Sequence, residues 1–147
     1  MSRRIAGAIV LWAAIAALQV FAAQPGQAGG ARSVWDGIYS ADQAERGKAA
    51  YFEACASCHA GDLRGDSTAP SLVEESFAFQ WDDTTVGELF NRIRTLMPSD
   101  RPGSLSAQRY RDIVAFLLQA NKFPAGERDL DADLDALKTI RIIAKKP

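Results

Sequence analysis

The sequence predicts an all-α domain, and three observations point there. Convincing strand alternation is missing along the chain. Apolar residues recur at i, i+3, i+4 and i+7 in separate stretches. Hydroxyl residues with capping potential stand at the start of these stretches. With 147 residues, 48% hydrophobic and 24% charged, one domain with a short leader is expected. A formal net charge of -1 gives no basic surplus for nucleic acid or an anionic membrane.

The elements follow in order. Ser2-Arg3-Arg4 precedes an uncharged run over residues 5 to 23 that ends in small residues. This is the pattern of a secretory signal peptide, with cleavage expected after residue 23 or as late as 28. An uncleaved membrane anchor is the alternative, because 19 apolar residues approach a bilayer span. Residues 24–33, Gly-rich and without periodicity, read as a flexible linker. Residues 34–147 form the folded domain, with a helical tail at its C-terminus. Losing Arg3 and Arg4 leaves 15 basic against 18 acidic side chains, so the exported domain carries a net charge of -3.

Ser40-Ala41-Asp42-Gln43 reads as a capping box opening a helix to about Ala54. Gly47 inside that helix costs about 1 kcal/mol against alanine, which points to close approach of another helix there. Thr85-Val86-Gly87-Glu88 is a second capping box. Val86, Leu89, Phe90 and Ile93 form one buried face, and the helix must stop before Met97 because Pro98 follows. A third helix runs from Ser106 to about Ala120, burying Tyr110, Ile113, Val114 and Leu117, with Asn121 as terminator. Leu130, Leu134, Leu137 and Ile140 predict a last helix laid over the body, with Asp129, Asp131, Asp133 and Asp135 solvated.

The chemistry is concentrated in CASCH, residues 55 to 59, which holds both cysteines and the single histidine. C-x-x-C-H is the pattern of c-type haem attachment. Two thiols with two residues between them reach the two vinyl groups of one haem, and the adjacent His59 falls beneath the iron. A structural zinc site needs four ligands, and this cluster supplies three. A thioredoxin-like dithiol normally accompanies strands, and a plain disulfide gives no role to His59. For the sixth ligand, Met97 is the only methionine besides Met1. Met/His ligation is one known arrangement, while filling a core gap is the alternative role of Met97. Lys48 and Lys122 are the other candidates.

These residues together resemble the class I c-type cytochromes. The resemblance covers about residues 34 to 143: the helix with Gly47 and Tyr51, CASCH, Pro70, Met97-Pro98 and the helix RYRDIVAFLLQAN. It implies a cytochrome c fold, four to five helices around one haem c joined to Cys55 and Cys58. It also implies that Gly47 and Tyr51 meet Tyr110 or Phe116 where the first and last helices cross. The Pro70 carbonyl would hold His59, and Leu72 would pack near the ring. Ala69 stands where the family commonly has glycine before that proline. Trp81, Arg92 and Arg94 would bond haem propionates, or serve as core and solvated residues. Arg92, Arg94 and Arg101 would steer an acidic partner, or pair with propionates or Asp100.

More narrowly, VWDGIYSADQAERGKAAYF and MPSDRPGSLSAQRYRDIVAFLLQANKFPAG resemble cytochromes beside or fused to quinoprotein (PQQ-type) dehydrogenases. The resemblance implies a periplasmic, non-enzymatic carrier of single electrons between a dehydrogenase and a downstream acceptor. Its partners would be redox proteins, without nucleic acid, and with membrane contact only through an uncleaved leader. The alternative is a haem enzyme or gas sensor, peroxidase-like or gas-binding, in which the sixth iron position is open or labile.

Overall fold

The computed structural model describes residues 32–147. The leader expected over residues 1–23, and most of the linker, lie outside the described residues. Among the described residues there are six α-helices and a 3-10 turn at Val34–Asp36, with isolated β-bridges in place of strands. The helices are α1 (Ala41–Ala54), α2 (Ala56–His59), α3 (Glu74–Trp81), α4 (Val86–Leu96), α5 (Ala107–Ala120) and α6 (Leu134–Lys138). None of the described helices is long and apolar enough to cross a membrane.

The scaffold is the crossing of α1 and α5. A Cβ on Gly47 would lie 1.8 Å from the Asp112 carbonyl oxygen, so no side chain fits at the crossing. The close approach expected at Gly47 is therefore present. Gly47 itself sits on the Asp112–Ile113 backbone, and Tyr51 packs on Phe116, one of the two expected partners, with ring centroids 5.4 Å apart. Tyr110 is directed elsewhere.

Ser40 caps α1 by accepting the Gln43 N–H (3.0 Å), but the reciprocal half of the expected capping box is not formed. Gln43 is fully buried, and a buried amide needs partners at both ends. Its Nε2 donates to Asp112 Oδ1 (3.1 Å) and its Oε1 accepts the Leu130 N–H (2.6 Å). At α4 both halves of the box are present, Thr85 Oγ1 accepting from Glu88 N (3.1 Å) and Glu88 Oε2 from Thr85 N (2.8 Å).

The last helix is shorter than its apolar spacing implies. Leu130 precedes it, pinned by Gln43, and Ile140 follows it on a segment that runs beside the start of α4. Asp129, Asp131, Asp133 and Asp135 are exposed, as expected, and two of them also serve the fold. Asp133 caps α6, and Asp129 pairs with Arg46 (2.5 Å) and accepts from Ser40 Oγ (2.5 Å). From Ile113 to Leu118, α5 is buried all round. One side meets Val34, Tyr39, α4 and α6, and the other meets Ala50, Tyr51, Leu63 and Val73. Each fully buried Leu or Ile here contributes about 1.5–3 kcal/mol.

Candidate functional site

Tyr51 of α1 and Ile113 and Leu117 of α5 also line a cavity of about 560 Å³, within the range of small-molecule and cofactor pockets. One wall is the end of α1 and the turn α2. Cys55 ends α1 and begins α2, and its carbonyl accepts the N–H groups of Cys58 (3.1 Å) and His59 (3.0 Å). Cys55, Cys58 and His59 therefore stand at i, i+3 and i+4 of one helical turn, and such positions share a face. All three line the cavity. Both thiols are free, Cys55 half-buried and Cys58 exposed. Burial pushes the Cys55 thiol up to about 11, keeping it protonated at neutral pH.

A loop then returns the chain to His59. Gly65 makes this turn with φ +67°, and a Cβ there would lie 2.2 Å from the Ala69 oxygen. Gly65 N–H donates to the His59 carbonyl (3.0 Å), and the loop delivers the Pro70 carbonyl to His59 Nδ1 (3.0 Å). A carbonyl oxygen only accepts, so Nδ1 carries the hydrogen and Nε2 keeps its lone pair for a metal. The expected Pro70 contact is present although Ala69 replaces the usual glycine; Gly65 supplies the turn instead. Asn121 was legible only as a helix terminator. Its Nδ2 donates to the Leu72 carbonyl (3.0 Å) and its Oδ1 accepts the Glu74 N–H (3.0 Å), fixing the segment that carries Leu72.

Met97 enters from α4. It follows the last helical residue in extended geometry (φ -124°, ψ 151°), with its N–H donating to the Ile93 carbonyl (2.9 Å). Its carbonyl accepts from the hydroxyl of Tyr110 at 2.7 Å. Lys48 and Lys122, the other sixth-ligand candidates, are exposed and do not line the cavity.

Leu72, Trp81 and Arg92 also line the cavity, joining Cys55, Cys58, His59, Pro70 and Met97. Trp81, 8% exposed, belongs at once to the core and to the wall. Arg92 has no acidic partner within ion-pair distance among the described residues. Arg101 lines the cavity too, bound to Asp100 (3.1 Å), whereas Arg94 does not reach it. Apolar wall comes from Phe77 of α3, Leu89 and Ile93 of α4, and Ile113 and Leu117 of α5, while Glu53, Ser57, Thr68, Gln80, Ser99 and Asp100 add polar lining. Helix α3 itself was not foreseen. It buries only Phe77 and Trp81 and has no side-chain cap, while Phe79 is 95% exposed.

The donor set fits a covalently attached haem: two free thiols on one turn, an imidazole with Nε2 available, and a pocket lined by aliphatic and aromatic side chains. Among the described residues no three His, Cys, Asp or Glu side chains are grouped as a metal-ion cage.

Residues 42–117, more than half of the chain, match the family described as cytochrome c oxidase, cbb3-type, subunit III. No curated protein matches the sequence. Among solved structures, the sulfane dehydrogenase SoxCD from Paracoccus pantotrophus is similar at 22% identity, with a TM-score of 0.48. That match covers 73% of this chain and 61% of the other, so this chain spans about three-fifths of its length. With CASCH inside the matched residues and the cavity around it, the chain belongs to this cytochrome c family and is a haem electron-transfer protein carrying one covalently bound haem c.

Proposed function

We propose that the protein is an exported carrier of single electrons in which His59 and Met97 are the two axial ligands. It would work in the periplasm between a dehydrogenase, of quinoprotein type by the resemblance above, and a downstream acceptor. Residues 1–23 serve as the leader, 24–33 as a linker and 34–147 as the haem domain. The observation that carries this reading is the presence of His59 and Met97 on the walls of one cavity, each anchored through the main chain.

The haem supplies a one-electron couple, its iron alternating between ferric and ferrous. The protein's own groups tune and shield it. Pro70 holds the His59 Nδ1–H and raises the basicity of Nε2. The Met97 thioether favours the reduced form and raises the potential relative to a second imidazole. Leu72, Leu89, Ile93 and Leu117 line the cavity and would keep water from a bound haem, which would also favour the less charged iron state. Arg92, unpaired with any acid among the described residues, is assigned to a haem carboxylate, with Trp81 as the adjoining wall. With His59 and Met97 both holding the iron, substrate would be kept from it, and the task would be outer-sphere electron transfer.

Two measurements test this. Covalent haem should survive a denaturing gel in the wild type and vanish in a Cys55→Ser, Cys58→Ser double variant; its retention there would contradict attachment at these thiols. Oxidised protein should show the weak far-red band of Met–iron ligation, and reduced protein should resist carbon monoxide. Rapid carbon monoxide binding by the wild type would replace the carrier with a gas-binding or peroxidase-like protein.

A further inference from the structure

All three tyrosines are buried to within 1% exposure, and each hydroxyl donates to a main-chain carbonyl. Tyr39 reaches Phe123 (2.6 Å), Tyr51 reaches Ala60 (2.7 Å), and Tyr110 reaches Met97 (2.7 Å). Two of the three land on, or beside, a proposed axial ligand. They come from α1 and α5, the helices locked together at Gly47.

The two contacts do not carry equal weight. Around His59 the backbone has further ties, with His59 N–H on Cys55 O, Gly65 N–H on His59 O, and Nδ1 on Pro70 O. Around Met97, the carbonyl's partner among the described residues is Tyr110. The same hydroxyl faces the Leu105 N–H at 3.4 Å, so one phenol holds both ends of the Met97–Leu105 segment. Pro102–Ser104 within it are exposed.

We propose that Tyr110 is the positioning residue for Met97, setting how much of the time the thioether occupies the iron's sixth place. This rests on the reading of Met97 as ligand. The hydroxyl acts through the main chain, fixing the Met97 carbonyl and thereby the direction from which the side chain enters the cavity. Without it, the carbonyl loses its partner and the segment between α4 and α5 is free to draw Met97 away.

The test compares Tyr110→Phe, Tyr39→Phe and Met97→Leu as holoproteins with covalent haem. The readouts are the far-red band, the midpoint potential and the fraction of reduced protein that binds carbon monoxide rapidly. Tyr110→Phe should raise that fraction about two- to tenfold, the equivalent of one net hydrogen bond, and lower the potential. Tyr39→Phe loses the same kind of bond away from the cavity, so it should lower thermal stability while leaving band and potential unchanged. A Tyr110→Phe protein matching wild type in all three readouts overturns the proposal. So does a Tyr39→Phe protein that shifts them equally.

Met97→Leu separates the two claims. If it opens the site while Tyr110→Phe does not, the clamp fails alone; if it leaves the wild-type band, the ligand reading fails. Should Tyr110→Phe not fold, 3-fluorotyrosine placed at position 110 alone, studied at pH 6, keeps the question open to refutation. Its more acidic hydroxyl should lower the carbon monoxide fraction below wild type, and an unchanged fraction overturns the proposal.

Discussion

The His59 side and the Met97 side of the cavity are held by different amounts of structure. His59 sits on a helical turn that also presents both thiols, and its ring, N–H and carbonyl are all engaged. Met97 sits at a helix end, with its N–H spent on α4 and its carbonyl on one phenol. The difference teaches where change should begin. A perturbation shared by both sides should unfold the domain, whereas one confined to the Met97 side should alter ligation before stability.

The largest effect tests their common support. Gly47→Ala drives a methyl into the Asp112 carbonyl, so it should cost about 3 kcal/mol or more, read from the denaturant midpoint. Because α1 and α5 carry Tyr51 and Tyr110 respectively, both sides should loosen together; unchanged stability would mean the crossing is not their shared support.

Gly65→Ala is next and touches the His59 side alone. It places a methyl against the Ala69 oxygen in a left-handed conformation, at a cost of about 2 kcal/mol. The Met97 far-red band should persist in the folded fraction while the midpoint potential shifts; loss of the band would show that the two sides are not separable. Asn121→Ala removes two bonds to the Leu72–Glu74 segment and should cost about 1–2 kcal/mol in thermal or chemical denaturation, leaving ligation intact.

The smallest effect lies far from the cavity. The Ser40 hydroxyl foremost, and then Arg46, hold the Asp129 carboxyl below its ordinary value. A lowered folded-state pKa means stability that is present above about pH 4 and lost as pH falls through the lowered value. Asp129→Asn should therefore be less stable than wild type near neutrality by under about 1 kcal/mol, since the pair is half-exposed. The two proteins should converge under strong acid. A gap that widens on acidification would contradict this sign.

The attachment motif was legible because covalent chemistry requires its residues to be nearly contiguous in sequence. Gly47 was legible because a glycine inside a helix gives up stability that the close packing of a second backbone can return. Periodicity identified the buried faces of α4 and α5, but it says nothing about where the polar tip of a buried side chain ends. That is why Tyr110 read as core while its hydroxyl reaches the Met97 carbonyl, and why Gln43 read as a cap while its amide ties α1 to α5 and Leu130. Helix α3 escaped notice because two apolar residues, Phe77 and Trp81, with Phe79 pointing outward, give no sustained helical pattern.

The phenol that gathers Met97 and Leu105 also separates anchorage from sequence in the stretch between them. Ser99, Asp100 and Arg101 reach the cavity wall, but Pro102, Gly103 and Ser104 are exposed and do not line it. Doubling the length of such a loop costs only about 0.6 kcal/mol in closure entropy. Insertions at Pro102–Ser104 therefore give an engineer, or evolution, a surface that can be rewritten for a new redox partner while the electron's resting place is kept.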